Sequence, residues 1–255
     1  MPPVPDRSVF SPSLNGSLPL SWFRELERLG WKPLLRNDAV SREGEPLLCW
    51  ILGEKGPSPC LPWVHRLLPY IPDLRAPAGQ GQTALHRACG RTPEAVSALL
   101  AAGAPLDARD EKGRTPLHLA RSPDTVRQLV AAGAPVKGPS EHGEPPLHAL
   151  ATQASAATVQ ALVDAGAPVR ALSQGTSVLH AALKNPDSSV LDVLLAAGVP
   201  VDHGERRSLG VYTPLMAALE MGNTLAAQKL LAAGARTTGR CPLGNTPLVR
   251  LLPDF

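Results

Sequence analysis

Thr115-Pro116-Leu117-His118, preceded by Gly113 and followed by an alanine-rich run, is the stretch whose reading decides the fold. The phrase returns as Thr83-Ala84-Leu85-His86, Pro145-Pro146-Leu147-His148, Ser177-Val178-Leu179-His180, Thr213-Pro214-Leu215-Met216 and Thr246-Pro247-Leu248-Val249. Successive first positions lie 32, 30, 32, 36 and 33 residues apart. A second phrase keeps step with it: Ala-Ala-Gly-Ala-Pro at 101–105 and at 131–135, with variants around Gly166, Gly198 and Gly234. Two phrases repeating in phase at about 33 residues signify a stacked solenoid, in which each unit buries its apolar face only against its neighbours.

The local chemistry explains the phrases. A Thr or Ser hydroxyl at the phrase start caps a first helix, and proline beside it suits the first helical turn. Thr92-Pro93-Glu94, Ser122-Pro123-Asp124 and Asn185-Pro186-Asp187 give similar start signals for second helices. Apolar stripes follow, such as Val126, Leu129 and Val130, or Val190, Val193, Leu194 and Leu195. Glycines 103, 133, 166, 198 and 234 supply the left-handed turn that stops each second helix. From motif histidine to this glycine is 17 residues for 86→103, 15 for 118→133, and 18 for 148→166 and 180→198. The repeat at 113–142 is therefore expected to have a shortened first helix and a local dent in its concave face.

These residues resemble the ankyrin-repeat family. The resemblance implies an all-α solenoid of stacked helix-turn-helix units with short β-hairpin-like tips. Residues 1–20, with Pro2, Pro3, Pro5, Pro12 and Pro19, read as an extended lead. The solenoid spans 21–255: a partial repeat at 21–43, full repeats at 44–80, 81–112, 113–142, 143–174, 175–210 and 211–243, and a half-repeat at 244–255. The loop from Gly53 to Pro59 is an insertion in the first full repeat. Seven of the nine aromatics, Trp22, Trp50 and Trp63 among them, lie in the first 70 residues. They read as a cap over the open end of an alanine-rich stack, the alternative being an exposed docking patch.

Composition narrows the function. A net charge of +3 over 255 residues does not demand a nucleic-acid partner, which needs a concentrated basic face. Cys49, Cys60, Cys89 and Cys241 form no CxxC pair and suit buried thiols in a reducing, cytoplasmic setting. No basic region followed by an apolar run marks a signal peptide. The uncharged stretch Pro145–Val163 parses as one repeat rather than a membrane span. No GxSxG, HExxH or P-loop motif is present, and no GxGxxG follows a predicted strand, so the expectation is a protein that is not an enzyme and holds no cofactor. His86, His118, His148 and His180 form a ladder, but equivalent positions in stacked repeats are on the order of 10 Å apart. Zinc needs its ligand atoms within about 2.3 Å of one point, so no shared metal is expected. The resemblance implies instead that these histidines hydrogen-bond within and between repeats, a role that Cys49, Met216 and Val249 cannot fill equally well.

What remains is surface. The resemblance implies a groove of first helices and hairpin tips that binds other proteins. The position before each capping residue varies: Gln82, Arg114, Glu144, Thr176, Tyr212 and Asn245. With tip residues, the candidate partner-binding set is Glu111, Arg114, His142, Glu144, Gln174, Thr176, Arg206, Arg207, Tyr212, Arg236, Arg240 and Asn245. The tip from Asp202 to Tyr212 is about three residues longer than the repeat norm and carries Arg206, Arg207 and Tyr212. It either projects toward a partner or is a tolerated insertion with Tyr212 folded back. The expected activity is binding of another protein by a chain that is monomeric on its own, as an inhibitor or immunity-type partner of a toxin or enzyme. A bacterial effector binding a host protein is the alternative, and nucleic-acid binding through arginine-bearing tips is the rival from another class. The alanine-, proline- and arginine-rich composition reads as that of a GC-rich, bacterial genome.

Overall fold

In the computed structural model, the described residues are 46–53, 60–71, 73–138, 144–207 and 210–237. The expected lead at 1–20, the partial repeat at 21–43, most of the insertion at 53–59 and the half-repeat at 244–255 lie outside them. The chain divides into two compact units, residues 1–105 and 106–255.

The described residues of the first unit form two helix pairs: α1 (Leu47–Leu52) with α2 (Leu61–Leu67), and α3 (Ala84–Cys89) with α4 (Pro93–Ala101). α1 packs on α3 and α2 on α4, so first helices stack on first helices and second on second. Arginines stitch this stack at the carboxyl end of α1, where the last carbonyls have no partner within the helix. Arg87 Nη1 donates to Cys49 O at 3.3 Å. Arg91 Nη1 donates to Ile51 O at 3.1 Å and to Gly53 O. A Cβ on Gly53 would stand 2.7 Å from Arg87 Nη1, so glycine leaves room for this guanidinium, whose flexible stem could otherwise shift. Cys49, Cys60 and Cys89 are buried and in no disulfide, and burial pushes the Cys89 thiol far above its ordinary value.

The second unit repeats the plan. A single 3₁₀ turn (Pro116–Leu119) precedes α5 (Pro123–Ala131), then come α6 (Pro146–Gln153), α7 (Ala156–Asp164), α8 (Val178–Ala182), α9 (Ser189–Ala196), α10 (Pro214–Glu220) and α11 (Thr224–Ala232). The 3₁₀ turn, α6, α8 and α10 stack in succession, as do α5, α7, α9 and α11. The first helix of the 113–142 repeat is thus shortened to one turn, as the 15-residue spacing predicts. Two tips form antiparallel hairpins: β1 (Leu172–Ser173) with β2 (Thr176–Ser177), and β3 (Glu205–Arg207) with β4 (Gly210–Tyr212).

The phrase leucine is the constant core residue. Leu85, Leu117, Leu147, Leu179 and Leu215 are all fully buried. Second helices bury Val96 and Leu99, Val126 and Leu129, Val159 and Leu162, and Val190 and Leu194. In α9 the third buried position is Leu191, while Val193 and Leu195 are half-exposed, which corrects the stripe read from the sequence. The five helix-stopping glycines all adopt left-handed backbone, φ from 74 to 93°. Nothing lies near a Cβ placed on any of them, so backbone conformation rather than crowding selects glycine.

One start signal has another use. α9 begins at Ser189, not directly after Asn185-Pro186-Asp187. Asn185 is buried, and its Nδ2 donates to Ala151 O at 3.0 Å and Ala154 O at 2.9 Å in the preceding repeat. Its Oδ1 accepts from Asp187 N. The Asp187 carboxylate accepts from Ser189 N and, across the repeat, from Ala156 N; these bonds hold it below the usual carboxylate range. The Asn-Pro-Asp turn is therefore a clamp between repeats. Asn185→Ala is expected to cost about 1–3 kcal/mol in urea unfolding, because it leaves buried carbonyl groups without donors. A loss below about 0.3 kcal/mol would show that the clamp contributes nothing.

Candidate partner-binding surface

The candidate surface rests on buried capping chemistry. At Thr115, the backbone N–H donates to His118 Nδ1 at 3.1 Å and the hydroxyl lies 2.9 Å from the same nitrogen. Thr83 and His86 make the same box at 3.2 and 2.9 Å. A backbone N–H can only donate, so Nδ1 is the acceptor and the ring proton sits on Nε2. That proton reaches the following repeat: His118 Nε2 donates to Glu144 O at 3.0 Å, His148 to Thr176 O at 3.3 Å and His180 to Tyr212 O at 3.2 Å. The accepting residues are those immediately before the next cap. The histidine ladder thus fixes the backbone of the variable row from within. Among the described residues, no group of three or more His, Cys, Asp and Glu is placed to hold a metal ion.

Each row and tip residue has a distinct setting. Arg114 is pinned: its Nε donates to Asp110 Oδ2 at 2.8 Å and its Nη2 stands 2.7 Å from the same oxygen. Asp110 is buried and organises the whole tip, its Oδ1 accepting from Lys112 N and Arg114 N. Burial alone would raise the Asp110 pKa, but the Arg114 side chain, together with these backbone donors, holds it below the usual value. Glu111 is exposed beside this turn, and Glu144 is half-buried. Gln174 is exposed with left-handed backbone, φ 49°, next to Gly175 at 83°, and Thr176 Oγ1 donates to Ser173 O at 2.7 Å. Arg236 is 82% exposed and lies 3.5 Å from Asp202, whose Oδ1 also accepts from Arg236 N. His142, Arg240 and Asn245 lie outside the described residues.

In the long tip, Arg206 pairs with Val211 and Arg207 with Gly210 across β3–β4. Buried Gly204 lies so close under Tyr212 O that any Cβ there would collide with it. Tyr212 is folded back: its ring stacks on His180 with centroids 5.8 Å apart, and its hydroxyl donates to Glu220 Oε2 at 2.6 Å. Of the two readings of Tyr212, the folded-back one is observed, and its side chain is part of the inter-repeat contact. Three exposed apolar residues carry no signal in the repeat phrases: Leu172 on β1 (40% exposed), Met221 at the end of α10 (53%) and Leu225 in the first turn of α11 (50%). For Leu225 a signal lies outside those phrases, since the equivalent positions counted back from the helix-stopping glycine are Glu94, Asp124, Ala157 and Ser189.

A constant buried frame presenting a variable row defines a repeat-type protein-binding scaffold. A family model described as ankyrin repeats, in three copies, matches residues 39–139, so that stretch belongs to the ankyrin-repeat family, and the fold carries the same repeat on to Ala235. The chain is similar to the ankyrin repeat domain of Bcl-3, described as a unique member of the IkappaB protein family. That match has TM-score 0.62 and 28% identity, over 80% of this chain and 92% of that one. It also shares the fold of the human ASB11 ankyrin repeat domain, with TM-score 0.61 and 23% identity over 75% of this chain and 90% of that one. No protein of curated function matches the chain significantly. Ankyrin-repeat domains are in general non-catalytic binding modules, and this chain carries such a protein-interaction scaffold. Among the described residues no helix is long and apolar enough to cross a membrane.

Tyr212→Ala is expected to lower stability by about 1 kcal/mol through the lost stacking on His180, whereas Tyr212→Phe, which keeps the ring, should cost less than half of that. Equal losses for both in chemical denaturation would show that the hydroxyl, not the ring, carries the contact.

Proposed function

We propose that this chain is a non-catalytic binder that occludes a partner protein, acting as an inhibitor or immunity-type partner of a toxin or enzyme. The observation that carries this reading is the separation of roles within each repeat. The phrase leucine is constant and the cap and histidine slots stay buried with few exchanges, Pro145 and Met216 among them, while the residue between hairpin and cap changes from Arg to Glu to Thr to Tyr. Binding to such a frame is close to rigid-body, which limits the ordering cost that would otherwise be subtracted from affinity.

Within the surface, contact centres on the tips rather than on the row alone. Arg114 and Tyr212 are engaged within the chain, so their exposed edges contribute shape; Glu111, Gln174 and the largely exposed Arg236 supply groups that meet the partner, and Arg206 and Arg207 join them by residue type and by their place on the long tip. The arginines at this end suit an acidic segment of the partner, and electrostatic steering would raise the association rate more than the final affinity. A cytoplasmic setting accords with three buried cysteines in no disulfide.

The test is capture of the partner from native lysate, identification by mass spectrometry, and titration against variants. Arg206→Ala with Arg207→Ala is expected to weaken binding by about 1–3 kcal/mol while leaving the urea midpoint unchanged. Unchanged affinity would remove this tip from the interface. An affinity that falls by orders of magnitude between 50 and about 200 mM salt, with nucleic acid recovered in the capture, would instead establish the nucleic-acid reading.

A further inference from the structure

We propose that the seam between the repeats at 143–174 and 175–210 is an acid-labile joint, because a second proton on His148 has no group to accept it. His148 is 2% exposed and its Nε2–H is committed to Thr176 O. Its Nδ1 is buried with no hydrogen-bond partner. The cause is a single residue. Position 145, where the other histidine-bearing repeats place Thr or Ser, is proline, which has neither a hydroxyl nor a backbone N–H. At His180 the corresponding hydroxyl, Ser177 Oγ at 3.0 Å, can rotate to accept a proton from Nδ1; at His118 Thr115 Oγ1 stands 2.9 Å away and can do the same, opposed there by the Thr115 N–H that points at the same nitrogen. Pro145 removes that option at His148 alone among these three.

The surroundings do not compensate. α6 is packed against the 3₁₀ turn, α7 and α8, whose titratable groups are His118, Asp164 and His180. Glu144 precedes the helix, and Lys184 and Asp187 stand in the turn that clamps its carboxyl end. Burial is the main force on His148, lowering its pKa from 6.5 to about 4; the Thr176 carbonyl opposes this and the like charge of His180 adds to it. No carboxylate figures among those causes. With the folded pKa depressed, the tether is fully stabilising above about pH 6.5 and is progressively lost as pH falls toward 4. If the imidazole regains its ordinary pKa when the seam opens, the opening equilibrium rises about 30-fold between pH 7.5 and pH 5. Glu144 and Thr176, both in the variable row, flank the opening.

Hydrogen exchange followed by mass spectrometry on the full chain at pH 7.5, 6.0 and 5.0, corrected for intrinsic rates, reads this directly. Protection across 144–153 and 176–183 is expected to fall about 30-fold between the extremes, and less at the seam held by His118. His148→Gln, which keeps a donor for Thr176 O but does not titrate, should abolish the pH step. Pro145→Thr should raise protection at pH 7.5 and shrink the step. No step in the wild-type chain, an undiminished step in His148→Gln, or equal steps at both seams would overturn the proposal. Should His148→Gln fail to fold, Pro145→Thr decides: a step equal to wild type overturns it.

Discussion

The stacking of the second unit turns on one recurring hydrogen bond, the imidazole Nε2–H of one repeat meeting a backbone carbonyl of the next. The described α-helices are five to nine residues long, well below the length at which an isolated helix holds in water. They persist because each lies between neighbours, and the alanine-rich surfaces let those neighbours approach closely. Close packing of leucine and valine supplies most of the energy but little direction, since apolar contact tolerates sliding. The imidazole supplies direction. Its Nδ1, capped at His118 by the Thr115 N–H, fixes the tautomer, and the tautomer fixes which carbonyl is reached.

That division of labour links stability to binding. The carbonyls of Glu144, Thr176 and Tyr212 are held from behind, so the side chains of those residues stand on a rigid backbone without having to order it on contact. The same bond explains where the molecule departs from its own rule. Where proline replaces the capping residue, at 145, half of the box is missing. Where methionine replaces histidine, at 216, the slot stays buried but the polar link cannot form. At these points local chemistry conflicts with the repeat, and there the stack should yield first.

Much of this was legible in the sequence because it is local. The capping phrase, the left-handed glycines and the buried leucine depend on neighbours within a few residues, and the 15-residue spacing foretold a shortened first helix, which is the single 3₁₀ turn at Pro116–Leu119. What the repeat pattern does not specify spans repeats, the partner of the folded-back Tyr212 included. The Asn185 clamp, the arginines over the end of α1, the Gly204 approach to Tyr212 and the stacking of Tyr212 on His180 join residues eight to 40 positions apart. No periodicity encodes such contacts, because each occurs once. The variable row was locatable by alignment of the repeats, but which of its side chains are engaged within the chain was not: Arg114 and Tyr212 carry the residue types expected of binding anchors and are both pinned.

The central claim, that imidazole tautomers lock successive repeats together, is open to direct observation by long-range ¹H–¹⁵N correlation NMR of the histidine rings at neutral pH. The account requires His118, His148 and His180 each to show the Nε2–H tautomer, with a slowly exchanging ring proton, and His148 Nδ1 to resonate as an unbonded acceptor. Rings in the Nδ1–H form, or averaged between tautomers with rapidly exchanging protons, would show that no such tether exists and that apolar packing alone holds the stack.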